Sequence, residues 1–417
     1  MLPITLTDTP WTLAFPVGEE GCQFRYERDG HPVLEAEYTE GTLRISALFT
    51  AREEPLTLVG EAAPGDRIRF VYQPWRMELY RNDTILDEEW PFGDPLFAGD
   101  APFSGGTLVH CAGGLTLEPI PEKPAEPDVL GSFTDAEGWM PGGGVFVGDC
   151  MPYAEGGRYH VLYLKDRHHH RSKWGKGAHQ WGHLSTTDLI HWDIHPMAVE
   201  IDDPSEGSIC TGSWIGRGGK HWLYYTVRMS DGSSAPIRRS VSEDGFHYTK
   251  DRAFGFTLSD KYTGSSARDP KIVQGEDGLL HMFVTTTLKA EGKGCLVHLT
   301  SADGEAWTEK EPIYIAPDAN EPECSDYIAY HGKYYLIFSH HGAGQYLYSD
   351  APFFGWKTPK EPKIPCHSVP KAAVWNDRIL FAGFKGAGSY AGTMTFLEAV
   401  VDENGEFSYI PVREMQK

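Results

Sequence analysis

No apolar run in this 417-residue sequence reaches the roughly 20 residues of a membrane-spanning helix, so no membrane partner is expected. The start, Met1-Leu2-Pro3-Ile4-Thr5, lacks the basic segment and apolar stretch of a secretory leader. Clustered positive charge is missing too. Lysine and arginine number 37 against 59 aspartates and glutamates, a net charge of −22, whereas nucleic-acid binding needs grouped cations on phosphates. That excludes nucleic acid and suits a neutral ligand. The seven cysteines are odd in number, scattered, and never spaced Cys-x-x-Cys. They fit free thiols in a reducing cytoplasm rather than a disulfide framework. Helical periodicity is scarce as well, which leaves an all-β chain.

Short aromatic and β-branched runs are abundant instead, and 46 glycines and 29 prolines supply their turns. Four prolines between Leu117 and Asp128 make an extended connector, so the chain is cut into domains 1–125 and 126–417. Before the cut, alternating strands such as Thr42–Leu48 and Arg67–Tyr72, and a hairpin turning at Asn82-Asp83, predict an antiparallel β-sandwich that accompanies the main domain. After it, a repeat recurs. Runs at Arg158–Tyr163, His221–Tyr225, Leu280–Val284 and Lys333–Phe338 each lead to a Ser-Asp turn followed by an aromatic residue: Ser185…Asp188…Trp192, Ser242…Asp244…Tyr248, Ser301…Asp303…Trp307 and Ser349-Asp350…Trp356. With a shorter unit near Trp375, this predicts a five-bladed β-propeller.

Three acidic residues precede inner strands of the first, third and fourth units: Asp149, Asp269 and Glu323. Inner strands surround the propeller axis, so these carboxylates are expected to share one funnel. One carboxylic acid to protonate a leaving oxygen and one carboxylate to attack, or to activate water, are what glycoside cleavage requires. The stretch from Arg167 to Trp181 carries His168-His169-His170, Trp174, His179 and Gln180. Ligands at adjacent positions rarely share one tetrahedral ion, so neither metal nor cofactor is assigned. The stretch is read instead as a loop offering Trp174, His179, Gln180 and Trp181 to sugar. His340, Asp203 and Glu206 are further candidates for the pocket.

Arg268-Asp269-Pro270, Glu323-Cys324, Trp181-Gly182-His183 running to His191-Trp192, and Cys210-Thr211-Gly212-Ser213 resemble motifs of glycoside hydrolase family 32, the β-fructosidases related to invertase and levanase. The resemblance implies a retaining double displacement with Asp149 as nucleophile, Asp269 as transition-state stabiliser and Glu323 as acid/base. Arg268 and Thr211 join the substrate-binding set, and the substrate is an oligosaccharide or small furanoside. The first motif departs from the family's Asn-Asp-Pro-Asn-Gly, reading Gly148-Asp149-Cys150-Met151-Pro152. The family also places its sandwich after the propeller. An inverting family 43-like arabinofuranosidase or xylosidase, and a sugar-binding propeller without turnover, are the alternatives. Oligomeric state is left open.

Overall fold

The computed structural model describes residues 4–7, 9–48, 55–73, 76–89, 103–120, 125–167, 179–203 and 205–415. Strands dominate, and the helical elements among the described residues are two single turns, Gly264–Ser266 and Arg413–Met415. Among the described residues no helix is long and apolar enough to cross a membrane. The chain divides into two compact units, one holding Met1–Ala125 with Asp202–Gly207, the other Glu126–His170, His179–Ile201 and Ser208–Lys417.

In the first unit two five-stranded antiparallel sheets share one core. One runs in the order Thr116–Glu118, Trp11–Pro16, Arg67–Gln73, Arg76–Arg81, Thr84–Glu89; the other Leu56–Glu61, Thr42–Ala47, His31–Thr39, Gly21–Arg28, Thr107–Cys111. Alternation makes the sandwich: Leu43, Ile45 and Ala47 are buried while Arg44 between them is exposed. Arg81 faces Thr84 across Asn82-Asp83, and Asn82 takes a positive φ of 54°, which asparagine tolerates better than most residues.

The second unit is a β-propeller built from five antiparallel meanders. Their first strands are Val145–Glu155, Glu206–Arg217, Arg268–Gln274, Glu323–Tyr330 and Ser368–Trp375. Val147 pairs with Gly392 of the last meander, so the first and last share a sheet. The repeated turn has one physical basis. In three meanders a hydroxyl (Thr186, Ser242, Ser301) accepts two backbone N–H groups, while the following aspartate (Asp188, Asp244, Asp303) accepts two more beyond it. Trp192 and Trp307 then fold back and donate their indole N–H to the same turn. In the first meander the hydroxyl is that of Thr186, one residue past Ser185. These aspartates are turn residues, which removes them from any catalytic role.

Candidate active site

The first strands of four meanders carry the same irregularity. Pairing steps three residues on the first strand against two on its partner between Val147 and Cys150, Arg268 and Lys271, Glu323 and Asp326, and Ser368 and Lys371. The extra residue bends the strand and re-aims its side chains. Asp269, Cys324 and Val369 occupy one position of this bulge and hold φ at 58°, 52° and 49°. Left-handed backbone at non-glycine residues costs about 1–3 kcal/mol each and persists where the surroundings enforce it. Asp149 is one position later and Glu323 one earlier. Three successive positions of one repeated bulge, taken from three different meanders, therefore supply the three carboxylates.

Asp149 is enclosed and receives three side-chain donors. Thr211 gives its hydroxyl at 2.7 Å and Cys324 its thiol at 3.2 Å, both to Oδ2, and Tyr390 gives its hydroxyl to Oδ1 at 2.8 Å. Asp269 faces the same thiol at 3.4 Å and accepts the Cys324 backbone N–H at 2.9 Å. Cys324 thus stands between the two aspartates. Burial pushes the Asp269 carboxyl above its usual range; Arg268 pulls it back, while Asp149 and Glu323 add to the rise.

Arg268 is the hub of the other side. Its Nη2 donates to Glu323 Oε1 at 2.8 Å, its Nη1 to Glu321 Oε2 at 2.5 Å and to the Ser266 carbonyl at 2.8 Å, and its Nε lies 3.6 Å from Asp269. Burial works against this cation, but Asp269, Glu321 and Glu323 outweigh it and keep it charged. Glu321 also accepts from Ser266 and Thr287 hydroxyls. Burial raises its carboxyl, yet Arg268 and those hydroxyls win and hold it below the usual range. The Glu323 side chain is 33% exposed against 4% for Asp269, so Glu323 is the carboxylate that an entering leaving group can meet.

The remaining sequence candidates divide. Thr211 and Arg268 touch the carboxylates directly. His179 is buried on Asp166 at 2.7 Å, with its ring 5.3 Å from that of Tyr390. Trp181 and Gln180 need correction as sugar contacts. Both are fully enclosed in the strand Gln180–Thr186, where Trp181 packs on Tyr225 and donates to the Cys210 carbonyl and Gln180 accepts the Ile201 N–H. Trp181 instead backs Gly212, where a Cβ would stand 2.8 Å from the indole, and so buttresses the strand that presents Thr211. His340 follows Ser339, the pairing partner of Glu323, but its Nε2 faces the Asn320 carbonyl at 3.1 Å and Asp318 at 3.4 Å. Asp318, His340 and His341 bring ligand-type atoms within 4.8 Å of one another and are a set able to hold a metal. Trp174 and His168 to His170 lie outside the described residues. Tyr390 and Glu321 escaped the sequence reading, although Tyr390 is the sole aromatic residue between Gly386 and Gly392. A cavity of about 590 Å³ opens farther along the same first strands, lined by Glu155, Trp214, His221 and Gln274; none of the three carboxylates lines it.

The profile of the glycosyl hydrolases family 32 N-terminal domain matches residues 150–365, just over half of the chain. The chain belongs to this family. The family match begins one residue after Asp149, so Asp269 and Glu323 lie inside it, while Gly148 and Asp149 of the divergent first motif fall just before it. The chain is 29% identical to the sucrose-6-phosphate hydrolase of Escherichia coli over 227 residues, 51% of this chain and 43% of that protein. It is 27% identical to the raffinose invertase of Escherichia coli over 197 residues, 45% of this chain and 39% of that protein. The chain thus spans less than half the length of these relatives. Fructan 1-exohydrolase IIa from Cichorium intybus superposes with a TM-score of 0.56 at 18% identity, covering 68% of this chain and 61% of that one. Sucrose-6-phosphate hydrolase from Lactobacillus gasseri does so at 0.52 and 15%, covering 64% and 63%. Both likenesses concern the fold.

Proposed function

We propose that this family 32 protein is a glycoside hydrolase that cleaves β-fructofuranosides or a closely related furanoside by a retaining double displacement. The observation that carries the reading is the convergence of Asp149 and Asp269 on Cys324, with Glu323 tied to the same group through Arg268. Three donors hold the Asp149 carboxyl in one orientation, as a nucleophile aimed at the anomeric carbon requires. Glu323, partly open to solvent, protonates the leaving oxygen and later takes a proton from water. Asp269 binds sugar hydroxyls as charge develops on the ring. The family's relatives act on sucrose-type sugars by name, which supports the fructoside class. Seven cysteines, none of them in a disulfide, support a reducing compartment and hence a cytoplasmic enzyme.

The test is a substrate panel of sucrose, 1-kestose and 4-nitrophenyl α-L-arabinofuranoside, with the first-formed anomer read by NMR. Retention with loss of turnover in Asp149→Ala is expected. Inversion would assign Asp149 as a base, as in family 43-like enzymes; binding without hydrolysis would make the propeller a sugar-binding module.

A further inference from the structure

Residue 148 has no side chain, and the reason is space. Gly148 is not among the residues with left-handed φ, so no unusual backbone conformation demands glycine there. A Cβ at 148 would instead lie 2.6 Å from the Tyr390 hydroxyl and 3.1 Å from Leu164 Cβ. The volume that a first-motif asparagine would use is occupied by a phenol from the last meander. That phenol is closed onto Asp149 at both ends. It donates to Oδ1 at 2.8 Å and accepts the Asp149 backbone N–H at 3.2 Å. Its ring is fixed by Phe384 at 5.2 Å and by His179 at 5.3 Å, and His179 is held in turn by Asp166.

We propose that Tyr390 is a positioning residue for Asp149, its hydroxyl standing where a side chain at 148 would project and fixing the carboxylate that the reaction uses. Burial and the nearby Asp149 charge push the phenol well above its usual range, so it stays protonated and remains a donor at any working pH. Gly148 and Tyr390 form one exchange: the small residue makes room and the large one supplies the polar partner. An amide at 148 can then no longer hydrogen-bond the sugar, which separates this pocket from that of a plain fructosidase. The inference rests on the reading of Asp149 as nucleophile.

Two measurements test it. Tyr390→Phe keeps the ring and removes the hydroxyl. On whichever panel sugar is hydrolysed, it should lower kcat about 10- to 100-fold with little change in KM, because the carboxylate has lost the donor that holds it in place. An unchanged kcat, or a loss carried by KM alone, overturns the proposal. The second measurement needs no substrate. Gly148→Ala should lower the Tm of the wild-type protein and lower it clearly less when combined with Tyr390→Phe; additive shifts overturn the steric exchange. Asp149→Asn is the control. If it keeps turnover, or if no panel sugar is cleaved, the functional reading fails, and the Tm cycle still decides the exchange between Gly148 and Tyr390.

Discussion

Glu323 and Asp326 are three residues apart on one strand, flank one bulge, and meet opposite fates. Asp326 is sealed. Lys271 reaches its Oδ1 at 2.5 Å, Tyr327 gives the same oxygen its N–H at 2.9 Å, and Ala372 gives Oδ2 its N–H at 2.8 Å. Lys271 and Lys371 occupy the position of Asp326 on neighbouring meanders, and Lys371 donates to the Gly212 carbonyl at 3.1 Å. Burial lowers the Lys371 ammonium against the pull of Asp326. Glu323 has Arg268 on one oxygen and solvent over a third of its side chain. One position after the bulge, Lys271, Asp326 and Lys371 are enclosed and tie meanders together; one position before it, Glu323 stays reachable. The same backbone device thus builds a scaffold layer and a reactive layer side by side.

Exchanging the charges one at a time breaks that comparison in opposite directions. Glu323→Gln should cut kcat/KM about 10²- to 10⁴-fold while urea unfolding stays within about 0.5 kcal/mol of wild type; progress curves and denaturation on one preparation check both. Asp326→Asn should do the reverse. It leaves Lys271 without its anionic partner and removes the strongest of the charges that offset the burial of Lys371. A loss of about 3–5 kcal/mol of stability is expected, with residual activity tracking the folded fraction. Equal loss of stability in both variants would show that the two carboxylates do not differ in kind.

Sequence made the repeat legible because its signals are local: a hydroxyl and an aspartate two residues apart cap a turn wherever they fall, as Ser242 with Asp244 and Ser301 with Asp303 do. Asp149, Asp269 and Glu323 were singled out through their motifs, and the fold brings them near Cys324 and Arg268. Their bulges were not, since a two-against-three pairing step leaves no mark in residue type. Trp181 was misread for a related reason. Its strand is buried on every residue, so no alternation reveals which face meets solvent. Tyr390 reaches Asp149 across 241 residues of chain, and only the closed propeller brings them together.

A smaller effect separates Glu323 from its own support. Glu321 takes part of the Arg268 fork, and Glu321→Gln frees that cation to act more fully on Glu323. Its hydroxyl partners Ser266 and Thr287 can still bond the amide, so the fold should hold. The expected outcome is a kcat lowered about 10-fold, with the basic limb of the pH profile moved to lower pH because a freer cation favours the ionised acid/base. Lower kcat with an unmoved basic limb would make Glu321 a merely structural partner of Arg268.

The first meander offers a third case, polar groups sealed without charge. His160 Nδ1 lies 3.0 Å from His183 Nε2, and His195 sits 2.7 Å from the Ser185 hydroxyl, with its ring 4.6 Å from that of His183. Burial lowers all three imidazoles, His160 to about 3. Above the unfolded value near 6.5 both states are neutral and these groups leave stability independent of pH. Below it the unfolded chain takes up protons that the folded chain refuses, so stability falls as pH drops from about 6.5 toward 3. Each imidazole contributes a slope of at most about 1.4 kcal/mol per pH unit. Urea unfolding at pH 7, 6 and 5 reads the slope before ordinary carboxylates titrate. His160→Gln, which removes one proton site, should flatten it; an unchanged slope would place the acid sensitivity elsewhere in the molecule.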